Sequence, residues 1–280
     1  MQFDLREAAK DHLLIAAHRG VFGGNIPCNT AASYEIALKQ GADMIETDVD
    51  ITADGELIVF HPGKESAHLN ASIRLPDMEW SEVSKLRFVN IDDVPTQFGI
   101  LRFDEFLEQF KGRCFINVDK FWSNPEKIYH ALKRHGMLDQ AVVKAPPTND
   151  VLRVLEEVAP DLAYMPVVKI RFQEHEALLN RNINYVGVEA LFYDDLDPIV
   201  SEELVEQIHR SGKLMWANSI IYDQKQQIAA GHSDDTALTE SEDLGWGWLA
   251  DRGFDLIQTD WPMMLINYLK QTNKYYKVKT

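Results

Sequence analysis

Within residues 43–61, Asp-Met-Ile-Glu-Thr-Asp-Val-Asp-Ile-Thr-Ala-Asp-Gly-Glu-Leu-Ile-Val-Phe-His, the side chains of Glu46, Asp48 and His61 have the types and spacing to do chemistry. Ile45 to Val49 alternates apolar with polar, Leu57 to Phe60 is apolar, and Asp54-Gly55 between them is a hairpin-turn signal. Glu46 and Asp48 are two apart on a strand and share a face, because strand side chains alternate. A two-residue turn at Asp54-Gly55 pairs Ala53 with Glu56 and sets His61 opposite Asp48. Carboxylates that close repel unless a cation or a proton sits between them. A hard divalent ion with oxygen ligands meets that need, and an imidazole outside its shell is free to move protons. The plainer reading makes the two carboxylates the solvated face of an ordinary hairpin and His61 the end of a strand.

The elements that must hold these groups follow a simple alternation. Leu13 to Ala17 is an apolar run that stops at His18-Arg19-Gly20 before a glycine-rich loop, the way α/β folds present functional groups at strand carboxyl ends. A helix over Ala31 to Gln40, capped by Asn29 or Thr30, precedes the hairpin, and residues 62–100 read as an irregular insertion with a helix over Met78 to Leu86. Strands are predicted at Cys114–Asp119, Ala141–Lys144, Ala163–Val168, Tyr185–Glu189, Leu214–Ala217 and Asp255–Thr259, each preceded by a helical segment. Leaving out the return arm of the hairpin, that makes eight strands in helix-separated order, which predicts a (β/α)8 TIM barrel carrying a β-hairpin and a small insertion after its second strand. The whole of 1–280 is read as one domain. Strand ends then collect His18, Arg19, Glu46, Asp48, His61, Asn117, Asp119, Lys120, Lys144, Lys169, Glu189, Trp216, Asn218 and Asp260 at one mouth.

A net charge of −16 argues against nucleic acid and against stable association with anionic membranes, since both need a positive footprint. An anionic small substrate could bind only where a metal, Arg or Lys reverses the local field. Cys28 and Cys114 are too few for a disulfide framework and read as free thiols of a reducing compartment. The first ten residues lack a basic region followed by an apolar run, and no window reaches the length of a membrane span, so a cytoplasmic location is expected. His12, His68, His130, His135, His175 and His209 read as surface residues, and the acidic excess as a solvated exterior.

With Ala17-His18-Arg19-Gly20, Pro27-Cys28-Asn29-Thr30, Gly41-Ala42-Asp43, Glu46-Thr47-Asp48-Val49, Thr52-Ala53-Asp54-Gly55, Val59-Phe60-His61 and Asp255 to Pro262 in order, the chain resembles the glycerophosphodiester phosphodiesterases, a family of barrel enzymes. A narrower branch is suggested by Asn117-Val118-Asp119-Lys120, Val143-Lys144, Glu189, Trp216-Ala217-Asn218, and by Gly231 to Asp235 with Trp246-Gly247-Trp248, a segment to which no role is assigned. The resemblance implies hydrolysis of a glycerophosphodiester to glycerol 3-phosphate and an alcohol, in lipid and glycerol metabolism, with bound Mg2+ or Ca2+. It implies Glu46, Asp48 and Asp119 as metal ligands, His18 and His61 as general acid and base, and Arg19 on the phosphate. Lys120, Lys144, Glu189, Trp216 and Asn218 are expected to bind substrate. Attack by water and attack by the substrate's own 2-hydroxyl both remain open.

The chain departs from the family pattern at three points. Cys28 stands in place of Glu, Pro62 in place of Asp, and adjacent Asp119-Lys120 in place of Glu-x-Lys. Adjacent residues point to opposite faces while a strand continues, so Lys120 should face away from Asp119's side unless the strand ends there, with Lys144 as the alternative cation. Two further readings stand beside the first. One gives the site a lipid head group, as in lysophospholipase D or sphingomyelinase D activity, and predicts an exposed apolar rim. The other is a barrel that binds phosphodiesters without turnover. Glu189 with Lys144 also reads as a plain ion pair and Trp216 as core.

Overall fold

The computed structural model describes residues 3–277; Met1, Gln2 and 278–280 of the expected 1–280 domain lie outside the described residues. Ten strands occur in chain order: β1 Leu14–Ala17, β2 Met44–Ile51, β3 Leu57–Val59, β4 Leu101–Arg102, β5 Phe115–Asp119, β6 Ala141–Ala145, β7 Ala163–Lys169, β8 Gly187–Leu191, β9 Leu214–Asn218 and β10 Leu256–Thr259. Eight of them pair in parallel in the order β1-β10-β9-β8-β7-β6-β5-β2, and β1 pairs with β2 to close the ring. This is the (β/α)8 barrel expected from the alternation. β1, β6 and β9 are buried along their whole length, as parallel strands covered on both faces must be.

Period-two alternation divides each strand between two apolar layers. Ile15, Ala17, Ile45, Ile116, Val143 and Ile257 face the helices in the main core with Tyr34, Phe106 and Leu132. Leu14, Ala16, Met44, Val142, Met165, Trp216 and Leu256 form a second cluster inside the barrel, the filled interior of this fold. Continuing the inward series upward by twos leads from Ala16 to His18, from Met44 to Glu46 and Asp48, from Val142 to Lys144, from Trp216 to Asn218, and from Leu256 to Gln258 and Asp260. The barrel is thus apolar at its base and polar toward the carboxyl ends of its strands.

The hairpin after the second strand is present, with a register one residue from the predicted one. Val49 pairs with Val59, Asp50 with Ile58 and Ile51 with Leu57, and the Phe60 amide donates to the Asp48 carbonyl, so Phe60 and not His61 lies opposite Asp48. Thr52 is the cause. Its hydroxyl donates to Asp54 at 2.6 Å and accepts from the Glu56 amide at 3.0 Å, which widens the turn to Ala53-Asp54-Gly55, with Gly55 at φ +89°. A three-residue loop with glycine in a left-handed conformation is the next commonest hairpin solution.

β4 adds to β3, and 62–100 fold over this hairpin with the short helices Glu65–Leu69 and Trp80–Val83, the latter shorter than the expected 78–86. Ile58, Phe60, Leu69, Leu75, Val83, Phe88 and Ile100 give that excursion an apolar cluster of its own. Expected boundaries elsewhere hold to within a few residues; β8 starts at Gly187 rather than Tyr185. Among the described residues no helix is long and apolar enough to cross a membrane. Cys28 and Cys114 are both free and buried.

Candidate active site

Parallel pairing of β2 with β5 puts Asp48 beside Asp119, and alternation along β2 adds Glu46 on the same inward face. One carboxylate oxygen from each of Glu46, Asp48 and Asp119 lies within 4.8 Å of the others. Glu46 and Asp48 are buried. Burial pushes the Glu46 carboxyl well above the usual carboxylate range, and Asp48 and Asp119 push it further. Asp48 Oδ2 accepts from Asn29 Nδ2 at 2.9 Å, while Asp48 Oδ1 is buried without a hydrogen-bond partner among the described residues. An orphaned carboxylate oxygen facing two other carboxylates fits a hard cation with oxygen ligands.

Fixed cations border this cluster. The Arg19 amide donates to Glu46 Oε2 at 2.8 Å, and its guanidinium Nε stands 3.0 Å from Asp48 Oδ2 as an ion-pair contact without the alignment of a hydrogen bond. Burial opposes the Arg19 charge, but Asp48 and Glu46 outweigh it and raise the group above its ordinary value. Lys120 Nζ donates to Asp119 Oδ2 at 2.6 Å and lies 3.9 Å from Asp48 Oδ1. It faces the same side as Asp119 because β5 ends at Asp119 and Lys120 turns left-handed at φ +61°. Burial also opposes ionisation of Asp119, and Lys120 with Lys144 overcomes it, holding the carboxyl below its ordinary value.

Two imidazoles flank the carboxylates. His61 lies just beyond β3 with Nδ1 on the Pro62 carbonyl at 2.9 Å and Nε2 3.9 Å from Asp48 Oδ1. A carbonyl only accepts, so Nδ1 carries the proton and Nε2 of the neutral ring has a free lone pair. Burial lowers the His61 pKa, with Asp48 opposing and Arg19 and Lys120 assisting. His18 Nδ1 meets Asp260 Oδ1 at 2.8 Å, and its Nε2 lies 3.2 Å from the Tyr222 hydroxyl. Both rings therefore hold their Nδ1 on an acceptor, with Nε2 of His61 toward Asp48 and Nε2 of His18 toward Tyr222.

Lys144, Glu189, Trp216 and Asn218 form a connected group. Lys144 Nζ donates to Glu189 Oε1 and Gln258 Oε1, both at 3.0 Å, and lies 4.1 Å from the Trp216 ring centre. Asn218 donates to Glu189 at 2.6 Å and accepts from Trp216 Nε1 at 3.1 Å. All four are buried, and with Gln258 they are held by one another beside the carboxylates. Lys144 nevertheless acts on the site through its field, drawing both Glu46 and Asp119 toward ionisation.

Sequence reasoning missed Asn29 and Tyr222. Thr30 takes the helix cap, which frees Asn29, at φ +56°, to hold Asp48 and to accept from the Tyr34 hydroxyl at 2.8 Å. A polar pair before a helix gives two candidates for one cap, and the loser was the informative residue. Tyr222 lies on an irregular loop after β9, where no periodicity pointed to it. His175 is buried, not on the surface; it bonds the Tyr185 hydroxyl at 2.9 Å.

Comparison with known proteins bears on what this arrangement is. A sequence family described as a domain of unknown function matches residues 164–269. A glycerophosphodiester phosphodiesterase of Bacillus subtilis is 41% identical over 188 residues, covering 58% of this chain and 61% of its own length. One from Caldanaerobacter subterraneus is 28% identical, covering 53% of this chain and 64% of its own. The chain therefore spans less than two thirds of these curated relatives. Among solved structures, a glycerophosphoryl diester phosphodiesterase of Parabacteroides distasonis superposes with a TM-score of 0.78 at 16% identity, covering 97% of this chain and 94% of that one. An Oleispira antarctica phosphodiesterase in complex with the product sn-glycerol-3-phosphate gives 0.68 at 20% identity, covering 92% and 96%. The chain is thus a (β/α)8 barrel similar in fold to solved glycerophosphodiester phosphodiesterases and in part of its sequence to curated ones.

Proposed function

We propose that this protein hydrolyses glycerophosphodiesters to glycerol 3-phosphate and an alcohol with the help of one divalent cation, Mg2+ or Ca2+, held by Glu46, Asp48 and Asp119. The observation that carries the reading is the trio of carboxylates, Glu46 and Asp48 buried and Asp119 partly so, with its orphaned Asp48 oxygen and with His61, Arg19 and Lys120 beside it. When bound there, the cation would supply positive charge that offsets the charge of the phosphodiester. Arg19 orients the phosphate, and Arg19 and Lys120 offset the charge that builds on it in the transition state. Of the two rings, one Nε2 takes the proton of the attacking oxygen and the other delivers a proton to the leaving alkoxide, a contribution of about 10²–10⁴-fold. Asp260 fixes the His18 tautomer from behind. The Oleispira protein's product complex supports this substrate class. We read 1–280 as one domain with 62–100 as an insertion, acting in the cytoplasm on a small molecule, with no nucleic-acid partner at a net charge of −16.

A lipid substrate, whose head-group alcohol leaves while the apolar part stays on the phosphate product, is favoured by one observation. Phe22, Trp122, Tyr222 and Trp261, from loops after β1, β5, β9 and β10, are exposed on the face where strands end. Exposed aromatic side chains of this kind support the apolar rim that reading calls for, and Trp122 lies against the Lys120 ammonium at 5.3 Å. Purified protein should release glycerol 3-phosphate from glycerophosphocholine, stop in EDTA, and lose at least about 10²-fold in kcat as His18→Ala or His61→Ala. Cleavage of lysophosphatidylcholine in preference to glycerophosphocholine would favour the lipid reading. Ion binding without turnover of either substrate would leave the non-catalytic barrel.

A further inference from the structure

Residues 231–248 carry a motif that the proposed chemistry does not use, and Asp234 is its centre. Asp234 is 3% exposed, and among the described residues no cationic side chain is a hydrogen-bond partner of it. Its Oδ1 accepts from Ser219 Oγ at 2.6 Å, Trp246 Nε1 at 2.7 Å and Thr259 Oγ1 at 2.7 Å, and its Oδ2 accepts from the Asp260 amide at 2.8 Å. Thr259 Oγ1 in turn accepts from the Trp261 amide at 2.9 Å, so the chain direction across 259–261 is set from Asp234. The Asp234 amide donates to the Ser219 carbonyl at 2.7 Å, which fixes the loop that leaves β9 toward Tyr222.

We propose that Asp234 is a positioning residue for the proposed reaction: by pinning the chain ends after β9 and β10 to one carboxylate, it holds Asp260 on Nδ1 and Tyr222 near Nε2 of His18. Four donors converging on a single buried anion form an arrangement that an uncharged isostere cannot repeat, because an amide turns two of its own donors toward groups that also donate. Burial pushes the Asp234 carboxyl up to about 6, with its four donors pulling the other way, so the carboxylate is the form that the network requires near neutrality. The surroundings are built to hold it. His232 stacks on Trp248 at 3.9 Å and bonds the Leu244 carbonyl and Asp195. A Cβ on Gly245 would meet Ala237 and the Ser233 carbonyl at 2.7 Å, so only glycine lets the helical turn bearing Trp246 close on Asp234.

The inference rests on the hydrolase reading but is tested partly apart from it. In full-length Asp234→Asn, kcat should fall about 10- to 100-fold with KM near the wild-type value, as expected when a proton-transfer group is misaligned and ground-state binding is kept. In an Asp260→Asn background the same change should add nothing further, since both act along one route. Independently of turnover, the His18 Nδ1 proton should give a low-field resonance in wild type that is lost or exchange-broadened in Asp234→Asn. Thr259→Val, which removes one donor and keeps the shape, should move both readouts the same way to a smaller extent, and stands in if Asp234→Asn does not fold. A folded variant with an unchanged His18 resonance and unchanged kcat would overturn the proposal, as would losses in Asp234→Asn and Asp260→Asn that multiply. Wild-type protein that turns over no glycerophosphodiester would sink the hydrolase reading alone, and the resonance would still decide whether Asp234 positions His18.

Discussion

Asn29 decides how Asp48 can act. Its amide holds one oxygen of that carboxylate and leaves the other bare toward Glu46 and Asp119. Asn29→Ala should therefore lower the affinity for Mg2+ or Ca2+ by about 10- to 100-fold, as the loss of groups that orient metal ligands does, with titration calorimetry as the check. Unchanged affinity would mean that Asn29 serves only the loop fold. Glu46 and Asp48 were legible as a pair because side-chain period is a local property; His61 comes to 3.9 Å from Asp48 although the register sets Phe60 opposite it. Asn29 was hidden by a cap that two neighbouring residues could have formed. Lys120 was legible only as a condition, since its direction depends on where β5 ends, and strand ends are fixed by tertiary pairing rather than by alternation.

At the scale of elements, the site depends on how strand ends are tied down. A Cβ on Gly20, at φ +79°, would meet Ser33 backbone and side chain at 2.6 Å, and Ser33 Oγ donates to the Arg19 carbonyl. Gly20→Ala should destabilise the fold by about 1–3 kcal/mol in chemical unfolding, and a loss below about 0.5 kcal/mol would show that the loop can shift freely. The opposite end of the barrel has a pH-dependent tie. His12 Nε2 bonds Asp43 Oδ1 at 2.8 Å, and this bond raises the His12 pKa above its ordinary 6.5, while the other Asp43 oxygen accepts from the Ile15 amide. A raised folded-state pKa gives stability that is complete below the unfolded value and lost as pH rises through the folded one. Between about pH 6 and pH 8 the Tm of wild type should fall more than that of His12→Gln; parallel curves would contradict the tie. Eight strands were legible because each apolar run is bounded by caps and glycines. The hairpin register was not, because Thr52 captures the Glu56 amide and adds one residue to the turn.

The whole molecule carries −16 at neutral pH and nonetheless gathers Arg19, Lys120 and Lys144 around one mouth. A negative exterior slows the approach of anionic substrates over distances longer than the Debye length, about 8 Å at physiological ionic strength. Raising salt should therefore increase kcat/KM for anionic glycerophosphoglycerol and change it little for zwitterionic glycerophosphocholine; equal responses would show that the global field plays no part. Segment 231–248 was visible as a motif yet silent about its role, because the contacts of Asp234 join residues from the loop after β9, from β10 and from a helical turn that are distant in sequence. The most direct test of the proposed chemistry is phosphorus NMR of wild-type protein with glycerophosphocholine, first in chelator and then with Mg2+ or Ca2+ added. Conversion of the diester signal to that of glycerol 3-phosphate only after the ion is added is the expected result. A diester signal that persists with either ion, or that converts equally in chelator, would contradict a cation-assisted hydrolase built on Glu46, Asp48 and Asp119.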